Sequence, residues 1–165
     1  MRIISGSALL LIVIAATSCT FEERTDRVTD VPESTRRQVI QPEGVARLPV
    51  FSSAIRSGDF IFLSGALGAL PGVDPPTLVE GGIEAETRQT MDNIVAVLAA
   101  AGATLEDLVK CTVFLADIDD YGAMNAVYVE YFPSDPPARA ALAATGLALG
   151  ARVEIDCIAA APEGA

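Results

Sequence analysis

The sequence predicts an α+β domain with two helices packed on one face of a mixed sheet. Three observations carry the prediction. A short apolar run rich in β-formers at 59–65, an alternating run at 109–116 and two further strands around 138–145 and 152–160 are separated by two amphipathic helical stretches, and the order is strands, helix, strand, helix, two strands. The chain has 165 residues and is 51% hydrophobic, enough for one domain with a real core.

The first strand pair is an extended piece at 50–55 followed by the run Asp59-Phe60-Ile61-Phe62-Leu63-Ser64-Gly65, with Ser57-Gly58 as the break between them. A Pro- and Gly-rich loop follows at 71–76. Over 83–101, Thr87, Met91, Ile94, Leu98 and Ala101 recur at intervals of three and four, and Gly102 stops the helix. Glu84 and Glu86 fall in its first turn, where the helix dipole favours acids. Thr104-Leu105-Glu106-Asp107 resembles a capping box for one short turn. The next strand, 109–116, alternates, placing Val109, Cys111, Val113 and Leu115 on one face. A second helix is expected over 120–132, with Tyr121, Met124, Tyr128 and Tyr131 on its inner stripe and Pro133 as its end. Strands at 138–145 and 152–160 complete the sheet. Nothing in the chain remains to cover the second sheet face, so self-association is expected.

The N-terminal stretch has a different character. A single Arg2 precedes an apolar run that closes on Ala16-Thr17-Ser18-Cys19, the layout of a secretory leader and too short for a comfortable membrane span. Small residues immediately before Cys19 resemble a bacterial lipobox, with Ala16 where Leu is usual. The expectation is a signal peptide over 1–18, lipidation at Cys19, a flexible polar tether over 19–43 and a domain over 44–165. The protein would then be exported, as a periplasmic or cell-envelope lipoprotein touching a membrane only through its lipid anchor.

Composition excludes several chemistries. There is no histidine, and the cysteines at 19, 111 and 157 have no paired spacing, which argues against zinc fingers, HExxH sites, His-based triads and CxxC redox pairs. No metal site is expected. The formal charge of −11 repels phosphate backbones, so nucleic acid is not an expected partner. No GxGxxG, P-loop or GxSxG motif occurs.

Four features are candidates for chemistry or its support. Arg139 is the only charge between Asp135 and Arg152 and sits in an alanine-rich strand, where a guanidinium calls for a carboxylate from a ligand or from elsewhere in the chain. Glu154 and Asp156 share one strand face, either as a proton-handling pair or as a solvated surface. Asn125 lies near the inner stripe of the second helix and needs partners there. Cys111 and Cys157, both on apolar strand faces, read either as a disulfide of an exported protein or as two buried thiols, the second being the simpler reading.

These residues together resemble the RidA/YjgF family. The resemblance runs through Phe51-Ser52-Ser53-Ala54-Ile55-Arg56-Ser57-Gly58-Asp59 into 60–65, Glu86-Thr87-Arg88-Gln89 with Asn93, Val109-Lys110 with Thr112-Val113-Phe114-Leu115, Pro137-Ala138-Arg139 and Val153-Glu154-Ile155. It implies a chorismate-mutase-like fold closed into a homotrimeric barrel, with sites in the clefts between subunits. It also implies hydrolysis of 2-enamino or 2-imino acids to 2-oxo acids and ammonia, with no cofactor. By position, Arg139 matches the arginine that grips the substrate carboxylate and Glu154 the glutamate that positions or activates water. Phe51, Ser64, Gly65 and Asn125 match residues lining or supporting the cleft. Three departures stand out: Phe51 for Tyr, Ala66 for Gln, and Ala141 for Cys. The alternative reading is a non-catalytic small-molecule-binding or chaperone-like trimer at the cell envelope.

Overall fold

A computed structural model of the chain describes residues 37–43, 45 and 49–162. The leader, Cys19 and most of the tether lie outside the described residues. The strands are β1 (Gln38–Ile40), β2 (Ala54–Ser57), β3 (Phe60–Leu63), β4 (Ala66–Leu67), β5 (Leu108–Leu115), β6 (Ala138–Ala143) and β7 (Val153–Ala160), and the helices are α1 (Gly82–Ala100) and α2 (Tyr121–Tyr128). They form one mixed sheet in the order β1-β2-β3-β7-β5-β6, with β4 also pairing with β7. Among the described strands only β5 and β6 run parallel; α2 lies between them in sequence, as a parallel crossover requires.

The strand β1 falls in the last residues of the segment read as a tether. It pairs antiparallel with β2, so Gln38–Ile40 belong to the sheet and not to a tether.

The period of two along the strands sorts their side chains between a core face and an open face. On the core face, Ile61 and Leu63 of β3, Cys111, Val113 and Leu115 of β5, and Val153, Ile155, Cys157 and Ala159 of β7 are buried against Met91, Ile94 and Leu98 of α1 and Met124 and Tyr128 of α2. No helix covers the opposite face among the described residues. There Phe60, Phe62 and Leu142 remain exposed, with the two phenylalanine rings 6.4 Å apart. The uncovered sheet face expected from the element count is therefore present, and it carries these exposed apolar side chains alongside the acids Glu154 and Asp156 of β7.

Four local expectations are corrected. Val109 does not join the core face, because a bulge between Leu108 and Lys110 shifts the alternation and turns Leu108 inward instead. The second helix stops at Tyr128 and continues as one 3-10 turn over Val129–Tyr131. Tyr121 is not on a buried stripe; it begins α2 with its side chain substantially exposed. Of the two acids expected in the first turn of α1 only Glu84 falls there; Glu86 is buried, and its carboxylate accepts the backbone N–H of Arg152 at 2.7 Å.

Cys111 and Cys157 are joined by a disulfide rather than standing as two thiols. They are direct partners in the β5–β7 register, with Cα atoms 4.1 Å apart. A separation this short is that of a non-hydrogen-bonded antiparallel pair, the position where side chains approach most closely.

Candidate active site

Residues Tyr121, Asn125 and Tyr128 lie four and then three positions apart on α2, so they form one stripe. That stripe faces Arg139 on β6. The Arg139 Nη2 donates to Asn125 Oδ1 at 2.7 Å and to Tyr121 Oη at 3.1 Å. Its guanidinium carbon stands 4.5 Å from the centre of the Tyr128 ring, in cation–π range. No carboxylate pairs with Arg139 among the described residues, so the internal ion pair weighed from sequence is replaced by two neutral acceptors and an aromatic platform. Burial pushes the Tyr128 phenol above its usual pKa, with the Arg139 charge pulling the other way.

An open cleft of about 640 Å³ lies on the Tyr121 side of Arg139, lined by Ile118, Tyr121, Arg139 and Ala141. The start of α2 is anchored beside it. The Asp117 carboxylate accepts from the Asp119 N–H at 3.0 Å, and Asp120 receives Arg152 Nε at 2.9 Å and Nη2 at 2.7 Å. That ion pair ties α2 to the entry of β7 and raises the pKa of Arg152.

Glu154 belongs to a second cluster. It pairs with Leu67 of β4 on one side and Phe114 of β5 on the other. Its side chain crosses directly over Gly65, where a Cβ would overlap the carboxylate oxygen. Ser64 Oγ donates to the Ser52 carbonyl at 2.7 Å, holding the loop that carries Phe51 against the end of β3. Phe51 itself is exposed beside this loop. The sequence did not single out a structural role for Asn93, yet its Nδ2 donates to the carbonyls of Leu67 and Ala69 at 2.9 and 2.8 Å and fixes β4 beneath Glu154. Close approach of α1 to this segment needs Gly68, whose absent Cβ would strike the Glu86 backbone at 2.8 Å.

The two clusters do not meet within one chain. Arg139 shares a rung with Cys111 and Cys157 on the core-facing side, whereas Glu154 alternates with buried Val153 and Ile155 and so points to the open side. The register separates them by three residues, about 10 Å along the strands and about 10 Å across two strand spacings. One cluster brings together Arg139, Asn125 and the unanticipated Tyr121 and Tyr128. The other brings Gly65 against Glu154, with Ser64 and Phe51 on the adjoining segments.

Comparison with known proteins agrees with this architecture. The family model described as Endoribonuclease L-PSP matches residues 44–161. The 2-iminobutanoate/2-iminopropanoate deaminase of Capra hircus is 42% identical over 126 residues, covering 75% of this chain and 89% of that protein. The chloroplastic Reactive Intermediate Deaminase A of Arabidopsis thaliana is 37% identical over 127 residues, covering 76% and 67%. Among solved structures, the YjgF gene product of E. coli superposes with a TM-score of 0.70 at 29% identity, covering 76% of this chain and 99% of that one. On these matches and on its fold, the chain belongs to the RidA/YjgF family, whose family model carries the name endoribonuclease L-PSP.

Proposed function

We propose that this protein hydrolyses 2-imino and 2-enamino acids to 2-oxo acids and ammonia. The observation that carries the reading is Arg139: a guanidinium held by Asn125 and Tyr128 at the wall of an open cleft, with no carboxylate partner among the described residues. A substrate carboxylate supplies the missing charge, and the fixed cation places the imine carbon for attack. Water then adds its oxygen to that carbon. Glu154 takes one proton from that water and passes it to nitrogen, giving the carbinolamine; the proton of the new hydroxyl then follows to nitrogen, the carbon–nitrogen bond breaks, and ammonia leaves as the carbonyl forms, a 2-enamino acid entering the same course once its β-carbon has gained a proton and its nitrogen has lost one. Deaminase names among the relatives support the same chemistry. The ribonuclease implied by the family-model name fits the charge of −11 poorly.

Since Arg139 and Glu154 occupy opposite sheet faces of one chain, a working site pairs the Arg139 half of one copy with the Glu154 half of another. A homotrimer closed over the open face, as the family resemblance implies, would also bury Phe60, Phe62 and Leu142. The test is imine hydrolysis in a mixture where an amino-acid oxidase generates the imine, read as the rate of 2-oxo acid formation above a no-enzyme blank. Arg139→Ala, Arg139→Lys and Glu154→Gln should each cost roughly 10² to 10⁴ in rate. Co-assembled Arg139→Ala and Glu154→Gln copies should regain activity, because some clefts then combine two intact halves. No acceleration by the wild type rejects the deaminase, and no recovery in the mixed assembly rejects the shared site.

Export as a lipoprotein belongs to the same proposal. Its support is the leader-like run ending at Cys19 together with the Cys111–Cys157 disulfide, a bond that persists in oxidising compartments such as the bacterial periplasm. Intact mass of the protein made with its N-terminal segment in a bacterium decides it: a mature chain beginning at Cys19 with a diacylglycerol is expected, and a lipid-free one rejects the anchor.

A further inference from the structure

Resting on the reading of Arg139 as the carboxylate receiver, we propose that the Tyr121 hydroxyl is a second ligand of the substrate carboxylate and completes the binding fork that the guanidinium alone cannot offer. A guanidinium has five N–H donors in a planar array. Each of its two-nitrogen forks, the one shared with Nη1 and the one shared with Nε, uses a hydrogen of Nη2. In this protein Nη2 donates to both Asn125 Oδ1 and Tyr121 Oη, so both of its hydrogens are committed. A carboxylate reaching Arg139 from the cleft therefore meets only single N–H groups of Nε or Nη1 while those bonds stand.

Tyr121 replaces the missing donor. Its oxygen accepts from Nη2 and still carries its own hydrogen. Acceptance from a cation polarises the O–H bond and strengthens it as a donor. The residue is half-exposed and lines the same cleft as Arg139, Ile118 and Ala141, so a ligand there reaches the phenol without displacing any buried group. One carboxylate oxygen accepts from a remaining guanidinium N–H and the other from Tyr121 O–H. Asn125 keeps its bond, and the guanidinium stays on Tyr128. The phenol thus makes the cleft selective for a carboxylate, an acceptor on both oxygens, over its amide, which offers one oxygen and a donor.

The experiment measures binding rather than turnover first. In the full chain, 2-oxobutanoate and 2-oxobutanamide are titrated calorimetrically into wild type and Tyr121→Phe, a substitution that removes one exposed oxygen and leaves the ring; circular dichroism confirms the fold. One hydrogen bond to a charged group is worth about tenfold or more in affinity. Tyr121→Phe should therefore bind 2-oxobutanoate about tenfold more weakly, with the amide unaffected, and in imine hydrolysis the loss should fall on KM rather than kcat. An unchanged acid-over-amide preference in Tyr121→Phe overturns the proposal, as does wild type that binds no 2-oxo acid. If wild type binds 2-oxobutanoate with the Tyr121-dependent preference yet hydrolyses no imine, the deaminase reading fails and the carboxylate fork stands.

Discussion

Breaking the Cys111–Cys157 bond tests how the sheet beneath Arg139 is held. The disulfide closes a separation of 46 residues that contains the whole of α2 and β6. By loop-closure entropy, a loop of that size removes roughly 13 to 14 cal/mol/K from the unfolded chain, a stabilisation of about 4 kcal/mol at 25 °C. For a domain of this size that corresponds to a fall in Tm of roughly 10 to 20 °C on reduction. Because the chain has only three cysteines, Cys19→Ser leaves this pair alone to be counted. Alkylation in denaturant without reductant should label neither Cys111 nor Cys157, and alkylation after reduction should label both. Thermal unfolding of the oxidised and reduced forms, at equal protein concentration so that assembly does not shift the comparison, then gives the stability difference. Labelling of both cysteines before reduction would show that the bond is absent. A shift of under a few degrees would refute the loop-entropy argument.

Two further outcomes follow from the geometry. Gly65→Ala places a methyl group on the Glu154 carboxylate, so the acid must swing away; imine hydrolysis should fall by roughly 10² or more while 2-oxobutanoate, held at Arg139, still binds, and full activity in this variant would remove Glu154 from the reaction. Tyr131, raised to about 12 mainly by burial with the Asp92 carboxylate adding to the shift, and Tyr128, raised by burial, should ionise above the ordinary phenol range in an ultraviolet titration. Because these raised values favour the neutral phenol in the folded state, the stability they contribute is fully present below about pH 10 and is lost as pH rises through the folded values, for Tyr131 toward 12; ordinary titration of Tyr128 and Tyr131 in the folded protein would contradict their burial.

The element order, the helix over the α1 region and the alternation of β7 were legible in the sequence because hydrophobic period is a local property. Arg139 was legible for a related reason: a lone cation in an alanine-rich strand is conspicuous without any knowledge of its neighbours. Glu154 and Asn125 stood out from strand alternation and helix position, and the family pattern gave them roles and added Phe51, Ser64 and Gly65 by position. What residues do to one another across strands was not legible. The bulge that expels Val109 depends on how β5 meets β7, and the pairing of Cys111 with Cys157 depends on a register between strands 46 residues apart. The same register decides that Arg139 and Glu154 face opposite sides of the sheet, since a shift by one residue would reverse either side chain. Tyr121 read as core from its spacing alone; only the turn that starts α2 at that residue, with Asp120 locked to Arg152, leaves its hydroxyl in the cleft on the guanidinium. Local composition thus determined which groups the chain possesses, and tertiary register determined which of them share a site, because contact between strands distant in sequence is set by the whole sheet.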